Sequence, residues 1–315
     1  MNESKQNHLE IYCPICDKST IYNEIFVNIS DDLKLVFCSN CNMVIRHPNL
    51  DEKELNRYYE GYNLRNYNND LNKTFHVMEK VSKFRFDYIK SILGQIPKNV
   101  FEIGPGTGTL MSIFNEQGGD VVGLEADDVA AEWMKKEKNL SIITGTFEAF
   151  VKKDDFEKMK GKYDLVVVSH VLEHIPKPNE LLKRVRELLV PNMGFLYIEV
   201  PNLFKPYSDN FIWQKHYDVS HVHYYAPDYL AHIVGRAGFE AISVSEDMFS
   251  PYYPLMGLFK YSSSHGTMLK TFNDIKKVKL RFRIFYLKSK LLRIVYIAKT
   301  IIKKILVMLH MRERK

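Results

Sequence analysis

Cysteine, long apolar runs and triphosphate-binding motifs are all scarce in this 315-residue sequence. Its four cysteines fall within the first 41 residues, which argues against the scattered disulfides of a secreted protein. No window of about 18 residues is free of charge and the first ten residues are polar, so we expect neither a membrane-spanning helix nor a secretory signal. No Gly-Lys-Ser/Thr triplet is present, which excludes a Walker-type phosphate loop.

Charge is divided unevenly along the chain. The formal net charge is +6, yet residues 270–315 contain 15 Lys/Arg and only 2 acidic residues, so the remainder is mildly acidic. Neither Gly nor Pro follows Gly266, and apolar residues recur three or four apart from Ile284 to Leu309 between basic flanks. The pattern predicts a basic amphipathic helical tail over 266–315. It suits a helix that lies on an anionic membrane surface; packing on the protein or a second subunit is an equal alternative, and RNA binding is a further one.

The cysteines form two Cys-x-x-Cys pairs, Cys13–Cys16 and Cys38–Cys41, with 21 residues between the pairs. Each pair places two thiolates on one tight turn, and two such turns complete the closed tetrahedral shell of structural zinc. The spacing predicts a zinc ribbon over residues 1–50, with Lys34–Phe37 as a strand entering the second pair. Redox dithiols or free buried cysteines are the alternatives. A closed four-sulfur shell gives the zinc a folding role.

The middle of the chain alternates strand and helix patterns. Residues 51–98 are expected to form a linker and a helical entry, in which helical spacing covers Phe75–Leu93. From residue 99 to 265, apolar strands alternate with helices, which is typical of a parallel sheet covered on both faces. The predicted fold class is therefore α/β, a doubly wound Rossmann-like sheet whose ligand lies beyond the carboxyl ends of the first strands.

A glycine-rich turn follows the first of these strands. Gly104, Gly106 and Gly108 alternate along it, so that the backbone can turn sharply and approach a ligand. The spacing G-x-G-x-G differs from the dinucleotide fingerprint G-x-G-x-x-G. A carboxylate, Glu125, closes the next strand 19 residues after Gly106, the distance at which an acid can accept both ribose hydroxyls.

Three segments together carry a family resemblance: Phe101–Gly108, Gly123–Glu125 and Ser169–Ile175. Over roughly residues 80–245 the chain resembles the class I S-adenosylmethionine-dependent methyltransferases. The resemblance implies a doubly wound methyltransferase sheet that binds this cofactor. It further implies that the three glycines line the methionine and ribose portion of the cofactor. Glu102 would fix the methionine amino group, and Glu125 would hold the ribose hydroxyls. Phe147 and Glu148 would contact adenine, and His170 would close the methionine end.

Three histidines, His216, His221 and His223, lie among aromatic residues after the fifth strand pattern. His221 and His223 are two apart and share a face of an extended chain, so the set predicts a base or an acceptor-binding group. A second metal site or a purely structural loop are the alternatives. With the cysteine pairs, the segment is similar to sugar C-methyltransferases, although Asp218 and Ser220 replace the tyrosine and glutamate of that family, whose long second domain is missing here.

The expected function is S-adenosylmethionine-dependent methyl transfer to a small or lipid-linked acceptor, in first place a saccharide of cell-surface glycan biosynthesis. An RNA methyltransferase and a non-catalytic S-adenosylmethionine-binding module are the alternatives. Nucleic acid is a disfavoured partner because the core is acidic and no Asn/Asp-Pro-Pro-Tyr motif occurs. The expected location is cytoplasmic, with the tail on the inner membrane face.

Overall fold

The structure, a computed structural model, describes residues 70–203, 220–246 and 254–262 without interruption. Before these ranges it describes residues 9–13, 15–16, 18–22, 25–28, 34–38, 40–41, 43–48, 54 and 57. After them it describes single residues and short runs between Leu280 and Ile302. The features below belong to these residues, and His216 lies outside them.

The N-terminal cysteine module consists of short antiparallel strands. Strands β1 and β2 pair with each other, and β3, β4 and β5 form a second sheet. The expected strand Lys34–Phe37 is present as β4. The five strands are β1 (Leu9–Cys13), β2 (Lys18–Tyr22), β3 (Ile25–Asn28), β4 (Lys34–Phe37) and β5 (Val44–His47).

The α/β domain begins with a long helix, and strands and helices then alternate as the pattern predicts. The helices are α1 (Leu71–Leu93), α2 (Thr109–Glu116), α3 (Asp128–Lys138), α4 (Phe147–Phe150), α5 (Asp154–Met159), α6 (Pro178–Leu188) and α7 (Pro227–Arg236), with a 3-10 turn at Leu172–His174. The strands are β6 (Asn99–Ile103), β7 (Asp120–Glu125), β8 (Ser141–Thr144), β9 (Leu165–Ser169), β10 (Phe195–Pro201), β11 (His223–Tyr224), β12 (Phe239–Ser245) and β13 (Pro254–Tyr261).

Seven strands form the central sheet in the order β12-β13-β10-β9-β6-β7-β8. Strands β10, β9, β6, β7 and β8 run parallel, whereas β13 is antiparallel to both of its neighbours. The prediction of a parallel sheet is corrected at β13. The repeat of strand and helix could not reveal this strand, because an antiparallel pair needs no crossover helix.

Helices cover both faces of the sheet, which confirms the doubly wound class. On one face Phe86 of α1 meets Phe114 of α2 at 5.1 Å between ring centroids. On the other, Phe101 of β6 stacks on Phe150 of α4 at 5.6 Å. Helix α1 begins where Asp70 accepts a hydrogen bond from the Lys73 amide and ends at Gly94 in the left-handed region, in line with ordinary helix caps.

One strand of the α/β domain extends the sheet of the cysteine module. Strand β11 pairs with β5, placing His223 opposite Ile45 and Tyr224 opposite Val44. Next to this pair, the Arg46 amide donates to the Val222 carbonyl at 3.1 Å. The module is therefore joined through backbone hydrogen bonds to the segment that contains the candidate histidines. Among the described residues, no helix is long and apolar enough to cross a membrane.

Candidate functional site

Acidic and basic side chains converge at the carboxyl edge of the parallel strands. Glu102 lies near the end of β6 and Glu125 ends β7, while His170 follows β9 and Glu199 lies in β10. Because β10, β9, β6 and β7 are successive neighbours in the sheet, these four side chains belong to one edge. This is the edge at which doubly wound folds bind ligands.

The glycine-rich turn between β6 and α2 has a backbone that other residues rarely adopt. Gly104, Gly106 and Gly108 have φ of +69°, +63° and +72°, in the left-handed region. A Cβ at Gly104 would lie 2.6 Å from Cγ2 of Val171, and one at Gly108 would overlap the side chains of Leu140 and Met134. The turn therefore packs directly against the segment after β9 at Gly104, whereas the position of a Cβ at Gly106 is open.

Glu125 is tied to this turn. Its Oε2 accepts from the Gly106 amide at 3.0 Å and its Oε1 accepts from the Asp127 amide at 2.9 Å. Burial raises the pKa of this carboxyl to about 7, although the two backbone amides act in the opposite direction. The carboxylate is thus oriented at the end of β7, beside the turn.

Glu102 is a buried carboxylate that lacks a full set of partners. Its side chain is 4% exposed, and its Oε2 has no hydrogen-bond partner within the described structure. Burial raises the pKa of this carboxyl to about 7, against the influence of Arg85. A buried acceptor without a donor is costly, so the site suits a ligand that brings a positively charged donor.

A buried ion-pair network that no sequence pattern predicts lies beside these carboxylates. Arg85 of α1 donates from Nε and Nη2 to the two oxygens of Glu199 at 2.7 and 2.6 Å, and the Tyr197 hydroxyl donates to the same carboxylate at 2.7 Å. Burial alone would raise the pKa of Glu199, but Arg85 holds it well below its usual range. Two features of the sequence could have indicated this pair: Glu199 lies inside an apolar strand, and Arg85 lies on the apolar face of a helix. Buried charges require partners, so each of these residues implies an opposite charge nearby.

His170 connects this network to a second carboxylate. Its Nε2 is 3.0 Å from Glu199 Oε1 and its Nδ1 is 3.3 Å from Glu173 Oε1. Burial lowers the pKa of the imidazole, but the two carboxylates outweigh this effect and raise it to about 9. The residue also has a positive φ of 53°. The two carboxylates thus favour the protonated imidazole of His170 at the end of β9, where the resemblance places a cofactor contact.

His221 belongs to a buried cluster with Glu173 and His174. The rings of His174 and His221 have centroids 4.7 Å apart. One carboxylate oxygen of Glu173 and one ring nitrogen of each histidine lie within 4.8 Å of one another. Burial would raise the pKa of Glu173, but His174, His170 and His221 together lower it. Two hydrogen bonds to the backbone anchor the cluster. His174 Nδ1 donates to the Ser220 carbonyl at 3.2 Å, and the Val222 amide donates to the backbone carbonyl of Glu173 at 2.9 Å.

The other expected site residues occupy distinct environments. His223 is 1% exposed in β11, and its Nε2 donates to the Pro176 carbonyl at 3.3 Å, so it packs between the cysteine module and the α/β domain. Phe147 is 7% exposed and its ring lies 6.5 Å from that of Phe150. Glu148 is half-buried in the first turn of α4.

The four cysteines lie close together in the N-terminal module, which strand β5 joins to β11. The sulfur atoms of Cys13 and Cys41 are 3.7 Å apart, as are those of Cys16 and Cys38, and all four lie within 4.8 Å of one another. Zinc–sulfur bonds of about 2.3 Å in a tetrahedron place the sulfurs about 3.8 Å apart. The spacing therefore fits a four-sulfur metal shell.

Comparison with known proteins agrees with this architecture. A family model described as a methyltransferase domain matches residues 77–244. Ubiquinone biosynthesis O-methyltransferases are among the relatives: that of Yersinia enterocolitica is 29% identical over 160 residues, 50% of this chain and 63% of the relative. That of Hydrogenovibrio crunogenus is 24% identical over 165 residues, 51% of this chain and 66% of the relative. This chain thus spans just under two thirds of either relative.

Among solved structures, the 1,6-didemethyltoxoflavin-N1-methyltransferase of Burkholderia thailandensis has a TM-score of 0.49 and 15% identity, and covers 75% of this chain and 99% of that one. The family match covers more than half of the sequence. The chain therefore belongs to the methyltransferase domain family, within the class I S-adenosylmethionine-dependent methyltransferases. The expectation of this class is confirmed.

Proposed function

We propose that this protein transfers the methyl group of S-adenosylmethionine to a hydroxyl of a small or lipid-linked acceptor, with His221 as the general base. The observation that supports it best is the arrangement of Glu125, the glycine-rich turn and Glu102 on adjacent strand ends. This arrangement matches the charge and the hydroxyls of the cofactor. The relatives are named O-methyltransferases, which supports oxygen as the accepting atom.

The residues at the strand ends fit S-adenosylmethionine by their chemistry. The buried Oε2 of Glu102, which lacks a hydrogen-bond partner, would accept from the methionine ammonium. The Glu125 carboxylate would accept from the ribose hydroxyls, and a ligand could approach the turn at Gly106, where the position of a Cβ has no protein atom within 4 Å. When bound, the cofactor supplies an electrophilic methyl group on a sulfonium. Two carboxylates near that cation also favour its binding electrostatically.

Deprotonation of an acceptor hydroxyl would fall to the cluster of His221, His174 and Glu173. Glu173 is 1% exposed, and the surrounding imidazoles lower its pKa, so its negative charge can stabilise the protonated form of a neighbouring histidine. Val171 contacts Gly104 and Glu173 follows two residues later, so the cluster lies next to the cofactor turn. The in-line displacement then depends mainly on positioning.

Calorimetry tests the cofactor site. Glu125→Ala should weaken S-adenosylmethionine binding at least tenfold, because the ribose contact and the hydrogen bond that orients the turn are both lost. Glu137→Ala, an exposed change on the adjacent helix α3, is the matched control and should bind as the parent does. Tight binding by Glu125→Ala, or no binding by the parent protein, would reject the assignment.

Kinetics with the acceptor test the base. His221→Gln should lower kcat by about 10²–10⁴, while cofactor affinity stays unchanged. His232→Gln on α7 is the control. Labelled cofactor with a prenylated phenol, a lipid-linked saccharide and RNA compares three acceptor classes. Labelling of the saccharide would support the glycan hypothesis, and labelling of RNA alone would overturn hydroxyl transfer to a small acceptor.

We further propose that Cys13, Cys16, Cys38 and Cys41 hold a structural zinc ion. The sulfur spacing fits a tetrahedral shell, and a module of about 40 residues gains the stability that its small core cannot supply. All four ligands would come from the protein, so no coordination position remains for substrate. Metal analysis of the purified protein should give one zinc per chain. Stoichiometric zinc in Cys38→Ser would contradict the assignment.

A further inference from the structure

The C-terminal tail presents an apolar face that the described parts of the protein do not cover. Every residue of the tail that the structure describes between Leu280 and Ile302 is helical and exposed. Its large apolar side chains are 45–67% exposed, whereas an amphipathic helix normally buries this face. They are Leu280, Ile284, Leu287, Leu291, Ile294, Val295, Ile297, Ile301 and Ile302.

These side chains form a stripe rather than a scatter. At 100° per residue, all nine fall within an arc of roughly 160° around the helix axis, and Leu280, Ile284, Leu287, Leu291 and Ile302 lie within roughly 60° of one another. The sequence spacing predicts basic residues on both borders of this stripe. In a continuous helix Arg281, Lys288 and Lys299 would fall on one border, and Lys290, Arg293 and Lys304 on the other. An apolar arc between two basic borders is the pattern of a helix that lies in a membrane interface.

Charge decides which partner suits this face. Residues 270–315 contain 15 basic and 2 acidic residues, so two copies of the tail would repel each other if their apolar faces met. An anionic lipid surface instead attracts each basic residue and buries the apolar stripe at the same time. The lack of a membrane-spanning helix among the described residues is compatible with this arrangement.

We propose that the tail between Leu280 and Ile302 binds the surface of an anionic lipid bilayer, with its apolar stripe in the acyl boundary and its basic borders at the headgroups. The helix then lies in the plane of the membrane. This inference goes beyond methyl transfer and depends on none of its steps. A lipid-linked acceptor would be presented to an enzyme held at the same surface.

Vesicle sedimentation of the full chain tests the proposal. The protein should bind vesicles with about 30% phosphatidylglycerol at least tenfold more tightly than pure phosphatidylcholine vesicles, and 0.5 M salt should weaken this binding because counterions screen the attraction. Equal binding to both vesicles, or binding to neither, would overturn it.

A pair of matched double variants separates the stripe from overall charge. Leu287→Asp with Leu291→Asp places two acids on the apolar stripe, and Ser289→Asp with Thr300→Asp places two acids where helical spacing predicts the opposite face. Both lower the net charge equally. The first pair should lose at least tenfold more affinity than the second, with unchanged cofactor affinity as the check on folding. Equal losses, or self-association without vesicles that only the stripe variant abolishes, would refute lipid as the partner.

Discussion

The buried pair of Arg85 and Glu199 allows the sharpest test of what stabilises the candidate site. In Arg85→Met the side chain keeps its apolar volume but loses the charge, leaving Glu199 buried without its main partner. Removal of one partner of a buried ion pair costs about 3–5 kcal/mol. Because Tyr197 still donates to Glu199 at 2.7 Å and His170 Nε2 lies 3.0 Å away, we expect about 3 kcal/mol, the lower end of this range.

Urea unfolding at pH 7 measures this free energy, and a second substitution identifies its cause. Adding Glu199→Gln to Arg85→Met removes the unpaired charge, so the double variant should be more stable than Arg85→Met. With the Glu199→Gln single variant, the four proteins give the coupling energy of the pair. Lys83→Met is the control, since Lys83 pairs with Asp87 on the exposed face of the same helix and should cost no more than about 1 kcal/mol. The reasoning fails if Arg85→Met costs no more than Lys83→Met, or if the double variant is no more stable than Arg85→Met.

Three further predictions concern the glycine-rich turn, His170 and the cysteine module. Gly108→Ala should lower the unfolding free energy by about 1–3 kcal/mol, because its Cβ would overlap Leu140 at a positive φ; an unchanged melting temperature would exclude this. The raised pKa of His170 means that its stabilisation is complete below about pH 6.5 and is lost as pH rises through about 9. Stability should therefore fall between pH 7 and 10 more steeply in the parent than in His170→Asn, and parallel curves would contradict the assignment. Cys38→Ser should reduce methyl transfer more than cofactor binding, because β5 supports the strand next to His221; equal losses in the two assays would argue against this coupling.

Several features of the fold were predictable because they depend on local sequence. The strands from Asn99 to Glu125 and the helix that ends at Gly94 have the expected types, since apolar periodicity and glycine caps act over a few residues. The turn at Gly104–Gly108 was also predictable, because only glycine adopts its backbone readily. Strand β13 was missed since it pairs as a hairpin and has no neighbouring helix to mark it.

The candidate site was predictable only where one segment contains its residues. Glu125 and Gly106 lie 19 residues apart. Glu125 ends β7 and Gly106 lies in the turn after the neighbouring strand β6, so this short spacing brings them together. Arg85 and Glu199 are separated by 114 residues, and their ion pair arises when α1 packs across the end of β10. Similarly, 47 residues separate His174 from His221, and pattern analysis of His221 and His223 could not show which of them meets Glu173.

The sequence by itself determined the class of domain, the position of the cofactor turn and the four-cysteine spacing, because each depends on short-range backbone geometry and periodicity. The tertiary structure alone decided that β11 joins the cysteine module to the candidate base, and that Glu173 lies among three imidazoles. It also decided which carboxylates are paired and which one remains open to a cation. These properties arise from burial and from contacts between distant segments, which set the cost of a charge and the partners it can find.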